Sequence, residues 1–237
     1  MLYLMRRFLI KQLIFQTGIG CLFLAPVAGA EKAAEKAVDN ARPTFFVGRI
    51  KYSKNDGDDC SGVGKDLIQL VSKNLTVCVQ EEKRIRLTDK DLYKTPFLFM
   101  NGHHNFVLSE QEIKNLNEYF SRGGFFLASG CCTNPEFPIA WRREFGRIFP
   151  NEKVKNIPYE HPIYRSFYNL GKILTLHTRK EICLEALFLR EVPVAVLCEE
   201  GLCCSLAMKN NCNSGKGISP KDGKEIATNI VVYSLTH

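Results

Sequence analysis

Residues 96–130 read PFLFMNGHHNFVLSEQEIKNLNEYFSRGGFFLASG, and their pattern sets the expected architecture. Pro96 to Met100 is a short, unbroken apolar run, typical of a strand that is covered on both faces, and Phe125 to Ala128 is a second one. Between them, Ser109 and Glu112 have the spacing of a capping box, which begins a helix. Before the helix stops at a Gly-Gly pair it places four apolar side chains on one face, namely Ile113, Leu116, Tyr119 and Phe120. The segment therefore predicts a strand–helix–strand unit.

The same alternation continues on both sides of this unit. Strands are predicted over residues 44–50, 75–79 and 192–198, and helices over residues 63–71, 139–148 and 223–235. Short apolar strands that alternate with amphipathic helices indicate a mainly parallel sheet with helices on both faces. The sequence has no internal repeat and no convincing second core, so we expect a single α/β domain over residues 44–237.

Composition and charge exclude several classes of protein. The chain has 237 residues, of which 45% are hydrophobic and 24% charged, and this balance excludes disordered, collagen-like and coiled-coil chains. Residues 1–30 supply three of the seven net positive charges and contain no acid, which leaves a net charge of +4 on the remainder. Those charges are spread without a dominant basic block, so we expect no nucleic-acid partner.

The amino terminus has the three zones of an export signal. A basic start is followed by an apolar stretch from Leu13 to Val27 and by Ala28-Gly29-Ala30, whose small side chains suit a signal peptidase. We therefore predict a signal peptide over residues 1–30, cleaved after Ala30, and a periplasmic or extracellular protein. An uncleaved segment would instead anchor the chain in the membrane. Residues 31–43, which are Ala-rich with alternating charge, are predicted to be a linker.

Export changes how the cysteines are interpreted. Nine follow the signal segment: Cys60, Cys78, Cys131, Cys132, Cys183, Cys198, Cys203, Cys204 and Cys212. In an oxidising compartment some of them should pair, and the odd number leaves one thiol or one intermolecular partner. The spacing near the carboxyl terminus lacks the Cys-x2-Cys pair and the neighbouring His of a zinc site. We expect disulfides or buried thiols, and no cofactor.

Two predicted strands end in residues that can carry chemistry. The first runs into Asn101-Gly102-His103-His104-Asn105 and the second into Ser129-Gly130-Cys131-Cys132-Thr133-Asn134. Ligands of parallel sheets bind beyond the carboxyl ends of the strands, so we expect both tips to lie at one site. A thiol on a tight turn after a strand is also the geometry of a nucleophile elbow.

The thiols and histidines give one catalytic hypothesis. Cys131 or Cys132 is the candidate nucleophile, activated by one of three candidate bases, His103, His104 or His161. An elbow normally has Gly two residues before and two residues after the nucleophile, and Cys132 has Gly130 before it but Asn134 after it. Adjacent cysteines in an exported protein are more often oxidised than nucleophilic, so a structural pair is the competing interpretation.

Other polar residues leave further alternatives open. His103, His161 and Glu144 are a possible metal-ligand set, although neighbouring histidines such as His103 and His104 rarely coordinate one ion together. Arg142 or Arg143 belongs either to a solvated helix face or to a site for an anionic ligand.

Several stretches together resemble the bacterial domain of unknown function 4159, which is found in exported or membrane-tethered proteins. The likeness covers nearly all of residues 44–237 and is carried by FFVGRIKY (45–52), LTDKDLYKTPFLFMNGHHNF (87–106), LSEQEIKNLNEYFSRGGFFLA (108–128), FPIAWRREFGRIFPNEKVKNIPYEHPIY (137–164) and TNIVVYSLTH (228–237).

The resemblance implies a fold similar to class I glutamine amidotransferases, which is a flavodoxin-like, three-layer αβα sandwich. It implies no known reaction. Members usually carry acidic residues after the Gly-Gly strand, where this chain has Ser129, Gly130 and two cysteines. The positions carried over as a candidate cluster are Gly102, His103, Arg143, Glu144, His161 and Pro162, and His104 joins the predicted ligand-binding residues.

Three functions remain in competition at this stage. The preferred hypothesis is a non-catalytic domain that binds an unidentified ligand or protein partner outside the cytoplasm, because a scaffold alone does not supply a reaction. The alternatives are a cysteine-dependent hydrolase or amidase and a metal-binding domain.

Overall fold

A computed structural model describes residues 44–52, 63–131, 133–206 and 217–237. The predicted signal peptide, the predicted linker and Cys132 lie outside the described residues. In the described part, short strands alternate with helices along much of the chain.

The strands are β1 Thr44–Phe45, β2 Val47–Lys51, β3 Cys78–Val79, β4 Lys83–Arg86, β5 Phe97–Gly102, β6 Phe125–Gly130, β7 Val154–Asn156, β8 Ile173–Leu174, β9 Glu181–Ile182, β10 Glu185–Leu189 and β11 Val192–Cys198. The helices are α1 Val63–Asn74, α2 Glu110–Ser121, α3 Glu136–Phe145, α4 Cys203–Leu206 and α5 Pro220–Thr236, and two 3-10 turns cover Lys90–Lys94 and Pro162–Tyr164. None of the helices in these ranges is long and apolar enough to cross a bilayer.

The central sheet has seven strands in the order β4-β2-β5-β6-β11-β10-β7. The first five run parallel, while β10 is antiparallel to both β11 and β7. The prediction of a mixed α/β fold with a mainly parallel sheet is confirmed.

Alternate residues of the central strands enter two separate hydrophobic clusters. In β5, Phe97 and Phe99 join the cluster that contains α1, α4 and α5, whereas Leu98 and Met100 join the cluster that contains α2 and α3. Successive side chains of a strand point to opposite faces, so the sheet is covered on both sides. This explains the unbroken apolar runs in the sequence.

The capping box at the start of α2 is confirmed. The Ser109 hydroxyl accepts from the Glu112 amide at 3.3 Å, and the Glu112 carboxylate accepts from the Ser109 amide at 2.8 Å. The box satisfies backbone groups that the first turn leaves without helical partners.

Two helices begin earlier than the sequence predicts. α3 begins at Glu136 rather than at residue 139, with Pro138 in its first turn. Proline is tolerated there because the first N–H groups of a helix have no partner inside it. α5 begins at Pro220, where Ser219 is the cap and accepts from the Asp222 amide at 3.2 Å.

The predicted strand at 44–50 is divided, and β10 was not predicted. β1 leaves the central sheet and pairs with β3, while β2 belongs to the central sheet. β10 and β11 form a hairpin around Arg190 and Glu191, which have φ values of 51° and 64°. Such a turn normally carries Asn or Gly, so its usual sequence signal is absent.

Candidate functional site

Three neighbouring parallel strands end at one edge of the sheet. Gly102 at the end of β5 pairs with Gly130 at the end of β6, and Ser129 pairs with Cys198 at the end of β11. The structure therefore places Gly102-His103 and Ser129-Cys131 at the same edge. We call this edge, with the residues that directly follow the three strands, the carboxyl rim.

Glycine at the strand ends allows close packing at the carboxyl rim. A Cβ on Gly102 would collide with the Tyr52 hydroxyl, which donates to the Asn101 carbonyl oxygen at 3.2 Å. A Cβ on Gly130 would collide with the backbone oxygen of Glu199, which directly follows β11. The two glycines thus let β5 and β6 approach the groups that surround them.

Cys131 is fully buried beneath the rim. Its amide donates to the Gly102 carbonyl oxygen at 3.0 Å, and the Asn101 side-chain amide donates to its sulfur at 3.1 Å. Its Sγ also lies 3.7 Å from the Sγ of Cys203. A thiol with no exposed surface does not meet a substrate, so this position argues against Cys131 as a nucleophile.

The turn that follows Cys131 contains one unusual backbone angle. Thr133 has a φ of 57°, in the left-handed region that β-branched residues rarely adopt. Cys132, the second candidate nucleophile, lies outside the described residues. Its predicted role is therefore open.

The predicted ligand-binding histidines lie on the loop after β5. The imidazole of His104 is exposed, with Nδ1 3.8 Å from a carboxylate oxygen of Glu136, the first residue of α3. The same oxygen accepts from the Asn105 amide at 3.2 Å, so Glu136 holds this loop against α3. His103 is partly buried, and its ring centroid lies 6.1 Å from that of His104.

Arg143 and Glu144 anchor the same loop. The Glu144 carboxylate is almost fully buried and accepts from Arg143 at 2.6 Å, from the Leu108 amide at 3.1 Å and from Arg147. Burial raises the pKa of Glu144, but the hydrogen bonds from Arg143, Leu108 and Arg147 outweigh burial and leave the pKa below its usual value. Arg143 also donates to the Asn105 side chain at 3.0 Å. These contacts give Glu144 a structural role.

His161 lies at the opposite edge of the sheet. Its Nδ1 accepts from the Ile163 amide at 3.2 Å. Its ring centroid lies 5.4 Å from the ring centroid of Tyr233, and the Tyr233 centroid lies 6.4 Å from the ring centroid of Phe125. Phe125 begins β6 and Cys131 directly follows Gly130 at its end, so about 20 Å of strand separates Phe125 from Cys131. Burial and the neighbouring His237 lower the pKa of His161. The structure thus does not bring His161 together with Cys131.

The three residues of the metal hypothesis do not lie together either. His103 belongs to the carboxyl rim, Glu144 is engaged by two arginines, and His161 lies at the other edge. Within the ranges that the structure describes, no three His, Cys, Asp or Glu residues are placed to hold a metal ion.

Sequence reasoning missed the acidic residues after β11. Glu199 forms an ion pair with Arg142, whose guanidinium also makes a bidentate contact to Glu185 at 2.5 and 2.8 Å. Arg142 is thus paired within the protein, and these carboxylates raise its pKa. Glu200 is partly buried, and its Oε1 lies 3.5 Å from the Nζ of Lys180. Burial raises the pKa of Glu200, and the nearby carboxylate of Glu199 raises it further. Both residues directly follow a predicted strand, but the sequence does not show that this strand lies beside β6.

The comparisons with known proteins identify a family. A family model described as a domain of unknown function, DUF4159, matches residues 47–235. The comparison with curated proteins finds no match.

Proposed function

We propose that this chain, which belongs to the DUF4159 family, is an exported, non-catalytic domain that binds a ligand or a protein partner at the carboxyl rim. The observation that carries this proposal is the pairing of Gly102 with Gly130 and of Ser129 with Cys198, which brings three strand ends together. In open α/β sheets, ligands bind beyond these ends.

The finer fold that goes with this proposal is a three-layer αβα sandwich similar to class I glutamine amidotransferases and flavodoxin. Two features support it. Five adjacent strands run parallel, and each face of the sheet contributes to a cluster that contains its own helices.

A binding role is favoured over catalysis because the catalytic set is dispersed. Cys131 is buried, and His161 lies at the other edge of the sheet. The polar side chains accessible near the rim include His104 and Glu136, which are more than half exposed, and Glu199, which is 41% exposed. A polar ligand that carries both donor and acceptor groups suits this surface.

A ligand screen with matched variants tests the binding role. Purified protein is screened by thermal shift against panels of cationic, anionic and neutral polar compounds, and each hit is repeated on Glu199→Gln and on Lys94→Gln. The second change removes an exposed ion pair with Asp91 in the turn before β5, at the end of that strand opposite the rim. We expect the shift to fall in the rim variant and to persist in the control. Equal shifts in both variants, or no hit in any panel, would contradict a small-molecule site at the rim.

Export is the second part of the proposal, and it rests on the amino-terminal sequence. Residues 1–30 would be removed after Ala30, residues 31–43 would form a linker, and residues 44–237 would form the single domain. Amino-terminal sequencing of protein recovered from the cell envelope and the medium should begin at Glu31. Retention of Met1 in a membrane fraction would support an anchored protein instead, and retention in the cytoplasm would contradict export.

A cysteine-dependent hydrolase or amidase is the second candidate, and Cys132 is its nucleophile. The observation that favours it is the left-handed conformation of Thr133, which marks a tight turn next to Cys132. Amide and ester substrates are screened before and after alkylation of the protein with iodoacetamide. Turnover that alkylation abolishes and that Cys132→Ser lacks would establish the enzyme, whereas no turnover leaves the binding role.

A further inference from the structure

Three buried sulfur atoms lie close to the carboxyl rim. Cys131 follows β6, Cys198 ends β11, and Cys203 begins α4, and each is at most 1% exposed. Their segments are adjacent because β6 and β11 are neighbouring strands and because the Leu202 amide donates to the Ser129 hydroxyl at 2.8 Å. Thiols from two segments that are far apart in the sequence therefore lie close together in the fold.

One pair in this group has the spacing of a cystine precursor. The Sγ atoms of Cys131 and Cys203 are 3.7 Å apart, and a disulfide bond of about 2.05 Å needs an approach of only about 1.6 Å. The Asn101 side chain donates to the Cys131 sulfur and fixes its direction. The two sulfurs are thus in van der Waals contact before any bond forms.

Cys198, the third buried thiol of this group, is unreactive in the folded protein. Burial raises the pKa of its thiol well above the usual value, and the nearby Glu200 and Cys203 raise it further. Since the thiolate is the reactive form, Cys198 exchanges slowly once the protein has folded.

We propose that Cys131 and Cys203 are an oxidation site that forms a disulfide and ties the turn after β6 to the start of α4. The bond forms by exchange with a disulfide-bearing oxidant. One thiol loses its proton and the thiolate attacks the oxidant, which releases one reduced thiol and leaves a mixed disulfide. The second thiolate then displaces the other half of the oxidant. Two protons and two electrons leave the protein, and the oxidant departs as two thiols.

Burial sets when this reaction takes place. Both sulfurs are shielded in the folded protein, so the exchange occurs during folding, before the rim closes over them. The finished bond then resists reductants that do not unfold the chain. In the cell this needs an oxidising compartment, so there the inference rests on the proposed export.

Peptide mapping tests the pair directly. The reduced, unfolded full chain is refolded with glutathione disulfide as the oxidant, remaining thiols are blocked with N-ethylmaleimide, and the protein is digested with trypsin without reduction. The expected product joins peptide 123–142 to peptide 191–209, and fragmentation assigns the bond to Cys131 and Cys203. In the native protein, dithiothreitol should cleave it only when denaturant is added.

Variants separate this pair from its neighbours. Cys131→Ser and Cys203→Ser should each leave the other cysteine of the pair open to N-ethylmaleimide, while Cys183→Ser, an exposed cysteine elsewhere, should leave the Cys131–Cys203 bond intact. N-ethylmaleimide on both Cys131 and Cys203 of the refolded wild-type protein, or a bond that joins either of them to another cysteine, would overturn the proposal. Fragmentation of the wild-type product decides the question even if a variant fails to fold. Because refolding is done in vitro, failure here leaves the export proposal untouched.

Discussion

Glu144 illustrates, at the scale of one residue, how a predicted site residue becomes a structural one. Its carboxylate is 2% exposed and accepts hydrogen bonds from Arg143, Arg147 and the Leu108 amide. A buried carboxylate with this many donors is stable only in its charged form. Its role is to fix the loop after β5, which carries His103 and His104.

Replacing Glu144 with Gln should therefore destabilise the protein by about 2 kcal/mol at pH 7, because charged hydrogen bonds are lost. The folded-state pKa is lowered, so the stabilisation is present above the unfolded pKa of about 4.3 and disappears as the pH falls through the folded value. Urea unfolding at pH 7 and pH 3 should show the difference from wild type shrinking at pH 3. The control is Glu110→Gln, an exposed carboxylate that pairs with Arg147, and a difference that stays constant with pH would refute the assignment.

Gly130 allows the end of β6 to pack closely against the segment after β11. In Gly130→Ala the new Cβ meets a backbone oxygen, which cannot rotate away as a side chain can. We expect a loss of about 2 kcal/mol, measured by urea unfolding. Gly171→Ala, where a Cβ would have nothing within 4 Å, is the matched control and should remain close to wild type. Equal stability of the two variants would mean that β6 and β11 are not packed in this way.

At the scale of elements, α2 depends on its amino-terminal cap. Ser109→Ala removes the hydroxyl that accepts from the Glu112 amide and should lower the free energy of unfolding by about 1 kcal/mol. Ser121→Ala, at the last residue of the same helix, should have little effect. Chemical denaturation of both variants checks this, and a larger loss in Ser121→Ala would contradict the capping role.

Elements with a local signal were predictable from the sequence. The apolar runs of β5 and β6 and the capping box of α2 need only neighbouring residues. β10 was missed because its turn, Arg190-Glu191, lacks the residues that usually mark a tight hairpin. α3 begins three residues before its predicted start because Pro138 indicates a helix break unless its place in the first turn is known.

The candidate site was only partly predictable, because its composition depends on strand order. The sequence identifies the ends of β5 and β6 as neighbours, since one short helix joins them. It does not reveal that β11 lies beside β6, because β11 begins at residue 192, which is 62 residues after β6 ends at residue 130. Glu199 and Glu200 were therefore missed, and Cys203 was not placed at the rim. His161 was a candidate base at the rim, but it lies against Tyr233 of α5 at the other edge.

At the scale of the whole molecule, the proposed Cys131–Cys203 bond would close a loop between residues 72 positions apart. Cross-links of long loops restrict the unfolded chain, and a gain of about 2–4 kcal/mol is typical. Urea unfolding of the oxidised protein should therefore give a higher midpoint than unfolding of the fully reduced protein. The same comparison in Cys131→Ser should give a much smaller difference, and an equal difference in both proteins would assign the stabilisation to other cysteines.

The central claim is that β5 and β6 end side by side and create the carboxyl rim. Nuclear magnetic resonance can detect this through the hydrogen bond from the Cys131 amide to the Gly102 carbonyl oxygen, which is 3.0 Å long. In protein labelled with ²H, ¹³C and ¹⁵N, a scalar coupling across that bond should connect the Cys131 nitrogen to the Gly102 carbonyl carbon. A Cys131 amide coupled to the carbonyl of any other residue would contradict the rim, and with it the site.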